Sequence, residues 1–273
     1  MYIDKILFEV ENLNKKELIE IRYDKYLKNL YTLTNYFSGK GKEYYVNGLL
    51  KFEGEYLNGK RHGKGKEYDK YRGLIFEGEF LNGQRKGKGK VYSDGNLIFE
   101  GEYLCGHKNG QGKEYCDGKL KFEGEYLNGE RNGKGKEYCD GKLKFEGEYL
   151  YGLRLKGKEY KKGKLEFEGE YSYGKRNGKG KEYDTEGKLI FEGEYLDEQR
   201  NGKGKEYDKY DKLEFEGKYL NGKRSGKGKE YDRYGRLIFE GEYLNGKRNG
   251  KGKEYDRKGK LIFEGKYLNG QRK

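Results

Sequence analysis

Ten copies of Phe-Glu-Gly, starting at Phe52, Phe76, Phe99, Phe122, Phe145, Phe167, Phe191, Phe215, Phe239 and Phe263, place this chain on a period of 22 to 24 residues. A unit that short cannot enclose a core, so each copy must bury its apolar residues against its neighbours in a stacked or laddered array. Composition agrees: with 40% charged and 32% hydrophobic residues in 273, no conventional core of matching size can be filled. The 30 tyrosines and 13 phenylalanines recur at fixed phase, which separates the chain from disordered sequences of similar polarity.

Within each copy the alternation has period two. In Leu97-Ile98-Phe99-Glu100-Gly101-Glu102-Tyr103, the residues Leu97, Phe99, Gly101 and Tyr103 share one face, while Glu100 and Glu102 share the other. A second alternating segment, such as Gly133-Lys134-Gly135-Lys136-Glu137-Tyr138, follows a glycine-bearing turn, so each copy reads as a β-hairpin. Pairing Glu123 with Lys136 and Glu125 with Lys134 sets Gly124 opposite Gly135, sets Tyr126 opposite Gly133, and leaves Gly129-Glu130 as the turn. In that register Gly133→Val would clash with the Tyr126 ring. Running on through Cys139-Asp140-Gly141-Lys142, the hairpins predict an all-β fold: an elongated, single-layer antiparallel β-meander of about 23 strands and roughly 110 Å.

Residues 1–51 read as degenerate N-terminal capping repeats, and residues 52–273 as the array, nine full repeats and a C-terminal half. Ile6 to Asn14 matches Leu261 to Asn269 in order, and Tyr23-Asp24-Lys25-Tyr26 copies Tyr207-Asp208-Lys209-Tyr210. The competing reading is a helix from Lys15, with Asn14 and Glu17 as a capping box and Leu18, Ile21, Leu27 and Leu30 in helical rhythm. Two copies depart from the pattern. One places Tyr151, Leu153 and Leu155 where others have polar turn residues, and another carries Glu198 in place of the turn glycine; these mark a kink, a local apolar contact or simple drift between copies.

Catalysis is not expected. Gly-Lys-Gly-Lys at 63–66 lacks the spacing and following helix of a phosphate loop, and two histidines, His62 and His107, cannot assemble a nucleophilic or zinc site. Cys105, Cys116 and Cys139 are expected to be free thiols, because equivalent positions of adjacent repeats lie too far apart to bridge. No cofactor is implied. The first residues mix Asp4 and Lys5 into a short apolar stretch, and no run suits a membrane span, so a cytoplasmic, at most membrane-peripheral, protein is expected.

The segment Phe-Glu-Gly-Glu-Tyr-Leu-Asn-Gly-Lys-Arg-Asn-Gly-Lys-Gly at 239–252 resembles the MORN repeat, aromatic-x-Gly-x-aromatic-x-x-Gly followed by Gly-x-Gly. Phe and Tyr replace the usual Tyr and Trp, and Lys-Glu-Tyr follows the second glycine, which is nearer the variant form seen in bacterial antitoxin-like proteins. The resemblance implies an antiparallel ribbon that scaffolds protein assemblies, self-associates and in some members contacts anionic phospholipid. An antitoxin-like binding partner is an alternative that the variant form raises.

Charge directs the functional expectation. The net charge is +13, and one turn phase holds Arg61, Arg85, Lys108, Arg131, Arg154, Arg176, Arg200, Arg224, Arg248 and Arg272, a basic row suited to an anionic membrane or an acidic protein surface. Nucleic acid or another polyanion is the alternative for a basic, aromatic-rich array, disfavoured because the rings should pack over glycines and the lysines alternate with glutamates. The full-consensus last strand, Leu261 to Leu268, is suited to edge pairing in a homodimer.

Overall fold

The computed structural model describes residues 5–12, 15–22 and 38–273. Every regular element among them is a β-strand, so the all-β meander of hairpins is the fold. Strands β1 (Lys5–Asn12) and β2 (Lys15–Arg22) form their own antiparallel pair with Phe8 opposite Ile19. Lys15 therefore opens a strand, not a helix. The copied segment from Tyr23 and the expected continuation through Tyr36 lie outside the described residues.

The chain divides into two compact units, Met1–Gly141 and Lys142–Lys273. In the first, β3 (Gly39–Tyr44) to β11 (Glu130–Cys139) pair antiparallel in sequence order. The second runs in the same way from β12 (Lys142–Leu150) to β23 (Gln271–Arg272).

The hairpin register keeps half of the sequence expectation. Between β10 (Lys119–Leu127) and β11, Glu123 faces Lys136 and Gly124 faces Gly135, but the pairing then shifts: Tyr126 lies opposite Arg131, not Gly133, and Leu127 opposite Glu130. The turn is Asn128-Gly129, one residue earlier than expected, with φ of 50° and 95°. Two consecutive positive φ values are what a tight hairpin matching the strand twist demands, and Asn-Gly supplies them at least cost. Gly133, at φ 92°, sits in the resulting bulge. A Cβ there would overlap the Glu125 carboxylate, so Gly133→Val must displace that side chain and is strained in backbone; the atoms it meets first belong to Glu125 and not to the Tyr126 ring. Where the bulge lacks its glycine, between β12 and β13 (Leu153–Lys161), Glu148 does face Lys156 as first expected.

The other connection explains the variable period. Asp94-Gly95 and Asp117-Gly118 are two-residue turns with both φ positive. Loops one residue longer use the aspartate as an anchor: Asp69 Oδ1 accepts the N–H groups of Tyr71 and Gly73 at 2.8 and 2.7 Å.

The core is a line of edge-to-face rings on one sheet face. Nine phenylalanines, from Phe52 to Phe239, are essentially inaccessible to solvent. Within each unit the phenylalanines touch the ring of their own repeat and that of the next: Phe191 lies 5.6 Å from Tyr195 and 5.1 Å from Tyr219, with the planes nearly perpendicular. Such contacts contribute about 0.5–1.5 kcal/mol each beyond area burial. The rings fit because glycines lie beneath them. A Cβ on Gly112 would stand 2.6 Å from Phe99 Cζ and 3.0 Å from Tyr126 Cε2.

Candidate functional site

The aromatic face also carries charge, which the sequence reading missed. Glu206 lies directly opposite Phe191 in the ladder, so the glutamate of Lys-Glu-Tyr shares the face of the rings. The arginine joins it, because the bulge sets Arg200 opposite Tyr195 instead of leaving it in the turn. The Arg200 guanidinium lies 4.1 Å from the Phe191 ring centre. It donates to Glu182 Oε2 at 2.5 Å and to Glu206 Oε1 at 3.2 Å, and the Tyr195 hydroxyl donates to Glu182 Oε1 at 2.6 Å. Arg224 in turn donates to Glu206 Oε2, so one carboxylate serves two successive arginines. The missed signal was the phase itself: two residues on from Gly135, Glu137 belongs to the glycine face.

All ten cations of the expected row are thereby placed. Arg61, Arg85, Lys108, Arg131, Arg154, Arg176, Arg200, Arg224, Arg248 and Arg272 each lie over a phenylalanine, 4.0 to 4.7 Å from the ring centre. Each also pairs with at least one glutamate. The row exists, and its charge is engaged inside the sheet.

The electrostatics follow. Burial by itself raises the carboxyls of Glu43, Glu182 and Glu230, but the arginine and tyrosine hydrogen bonds and the arginine charge outweigh it and hold all three below the ordinary 4.5. The unfolded chain binds protons with ordinary carboxylate affinity, so this stability is present above the unfolded value and is lost as pH falls through the depressed folded values. The thermal midpoint is expected to stay level from neutrality to about pH 5 and to drop below it, with Glu182→Gln losing part of that acid dependence in a calorimetric pH series.

One repeat tests the network internally. Val91 stands where the others have glutamate, and the residue that would reach it from the following repeat is Lys108, not arginine. Lys108 keeps only the 3.5 Å pair with Glu114, and Tyr103, deprived of a carboxylate acceptor, has its hydroxyl pushed up to about 12, chiefly by burial. Restoring both residues, Val91→Glu with Lys108→Arg, is expected to stabilise by more than the two single changes combined. The coupling should be about 1 kcal/mol in a double-mutant cycle followed by urea unfolding.

The opposite face is open. Lysines and glutamates flank a glycine floor in a groove of 1380 Å³ in the second unit, and a separate one of 1010 Å³ in the first. Tyrosine hydroxyls rim this face by donating to its glutamates, as Tyr68 does to Glu53 and Tyr207 to Glu192, at 2.6 and 2.7 Å. Eleven lysines against seven glutamates line the groove of the second unit, compared with seven against six in the first. The excess cation therefore belongs to the second.

Tyr151, Leu153 and Leu155 are exposed, Tyr151 at 72%, and the equivalent turn residue of the next hairpin, Tyr173, at 88%. Glu198 holds φ 71° in the turn where glycine was expected, and its carboxylate accepts the Arg176 N–H at 2.8 Å. Cys105, Cys116 and Cys139 are free and exposed. Among the described residues no group of His, Cys, Asp and Glu is arranged to hold a metal ion, and no helix is long and apolar enough to cross a membrane.

Hairpins with aromatic rings over paired glycines, repeated through both units, define an all-β repeat protein. The MORN repeat family matches nine segments: 35–49, 52–70, 76–97, 99–119, 122–142, 167–188, 191–209, 215–233 and 239–260. The chain belongs to the MORN-repeat family, a scaffold type of repeat commonly engaged with proteins or membranes. The shortened copy at 145–166, without its bulge glycine, falls between two matched segments. No curated protein matches the chain. Among solved structures, similarity is found to one titled "Crystal Structure of TcdB2-TccC3-TEV", at 10% identity and a TM-score of 0.20, covering 94% of this chain and 16% of that one. A score so low carries no argument.

Proposed function

We propose that this protein is a non-enzymatic scaffold that holds a partner protein against its lysine–glutamate face. The observation that carries this reading is the division of labour between the two faces. Rings, arginines and their glutamates are engaged with one another on one face, whereas the other offers long, shallow, charged grooves. A groove of that kind has no enclosed apolar pocket for a small substrate, and its repeated charges suit an extended macromolecular ligand engaged at many weak points. Contact with anionic phospholipid is the second reading, favoured by the lysine excess of the second unit. The arginine row supports it less, because those side chains are already stacked and paired.

Site-directed crosslinking tests the choice of face. With Cys105, Cys116 and Cys139 replaced by serine, a photoreactive group is placed on Lys181→Cys in the groove or on Asn221→Cys in an outer turn. Recovery of a discrete protein adduct from Lys181→Cys alone is the expected outcome, and equal labelling from both sites would overturn the assignment.

Self-association is a further proposal, through β22 (Leu261–Leu268). Leu261 and Ile262 are exposed at 42% and 55%, and Phe263 is half-buried where the phenylalanines before it are sealed. Sedimentation is expected to show a dimer that Ile262→Lys dissociates, and a concentration-independent monomer would exclude this edge.

A further inference from the structure

The groove of the second unit contains a main-chain seat for a carboxylate, and one hairpin has lost its own occupant. In three hairpins the second glutamate of Phe-Glu-Gly-Glu folds over the bulge glycine and accepts the N–H of the lysine that follows. Glu170 accepts from Lys179 at 2.9 Å, Glu194 from Lys203 at 3.1 Å and Glu242 from Lys251 at 3.1 Å. The bulge thus directs an N–H out of the ladder towards an oxyanion, as consecutive amides in turn conformations do. In the hairpin of β18 (Leu213–Leu220) and β19 (Lys223–Tyr231), the position belongs to Lys218. Gly226 keeps the bulge conformation at φ 66°, and a Cβ there would meet only the Lys218 side chain, at 3.6 Å. An ammonium group accepts no hydrogen bond, so Lys218 cannot give the Lys227 N–H the carboxylate that its counterparts have.

The ladder sharpens this. Lys179 faces Glu194 and Lys227 faces Glu242, but Lys203 faces Lys218. Like charges directly opposite each other are destabilising unless an anion lies between them. The substitution recurs at Lys266, which faces Lys251.

We propose that the Lys227 N–H, with Lys218 and Lys203, receives a carboxylate from an acidic, extended segment of a partner protein, and that Lys251 and Lys266 receive a second one. A carboxylate is the favoured occupant because a glutamate fills the same seat in the neighbouring hairpins. The five strand steps from Lys203 to Lys266 span about 24 Å, which about eight extended residues cross. This proposal rests on the lysine–glutamate face being the contact surface and assigns its chemistry.

The test is fluorescence anisotropy of the full chain with a labelled oligoglutamate peptide of about eight residues, at two ionic strengths. Wild type is expected to bind in a salt-dependent manner. Lys218→Glu, which installs the residue the neighbouring hairpins carry, should weaken binding about tenfold, and Glu194→Lys, which opens another seat, should strengthen it. Circular dichroism unchanged from wild type confirms that both variants fold. No binding by wild type, or affinity for Lys218→Glu within twofold of wild type, overturns the proposal. So does loss of phosphatidylserine-vesicle binding in Lys218→Glu with peptide binding intact, which would make the seat a headgroup site. Because crosslinking from Lys181→Cys does not depend on Lys218, failure here leaves the choice of face standing.

Discussion

Phe191→Ala is expected to cost about 3–5 kcal/mol, the usual range for emptying a sealed aromatic site. The loss should not stay within its repeat. The ring supports Tyr195 of its own hairpin, Tyr219 of the next and the Arg200 guanidinium above it, so removing it loosens two hairpins and unseats one link of the charge network. Hydrogen exchange should show protection falling in both hairpins, β16 (Leu189–Leu196) with β17 (Gln199–Tyr207) and β18 with β19, and least in the hairpins farthest along the unit. A loss confined to residues 189–207 would contradict the shared-ring account.

Glu182→Ala is the second large effect, about 2–3 kcal/mol. It strips both donors that converge on that carboxylate, the hydroxyl of the buried Tyr195 and one side of the partly exposed Arg200. Groups deprived of a partner away from water cost more than the lost bond was worth. Since Arg200 retains Glu206, the cost falls short of a fully stranded charge. Chemical denaturation of Glu182→Ala and of Glu182→Ala with Arg200→Leu separates the two contributions: the double variant should recover part of the stability. If it is less stable than the single variant, the penalty comes from lost packing instead.

Much of this architecture is legible because period two leaves little freedom. From Phe122, Gly124 and Tyr126 the aromatic face follows, and the opposition of Gly124 to Gly135 follows from placing charges across from each other. What failed was local and has one cause. An even count along the hairpin assumes no bulge, whereas Asn128-Gly129 closes the turn tightly and Asn132-Gly133 must then be absorbed in the strand. That shift moves Arg131 out of the turn onto the rings, which is why a row read as an outer cationic edge is found stacked and paired. The partner glutamate was obscured differently: in the register expected from sequence Glu123 and Glu125 face lysines, which invites the same reading of Glu137. The Lys218 seat is visible in sequence only as one Glu-to-Lys change among many charges. Its meaning needs the bulge N–H that three neighbouring glutamates accept.

Four glutamates of the aromatic face, Glu67, Glu159, Glu206 and Glu254, are each held in common by the arginine that precedes and the arginine that follows. Each complete copy thus brings one anion, one cation and one pair of rings, and within a unit the joint between such copies repeats. Excising or duplicating one complete copy within a unit rejoins matching halves and strands no ion, whereas a cut at another length separates a carboxylate from its guanidinium. Length is therefore an adjustable property of this protein, in steps of one hairpin and its connection, and reach can be changed without redesigning what holds the sheet together.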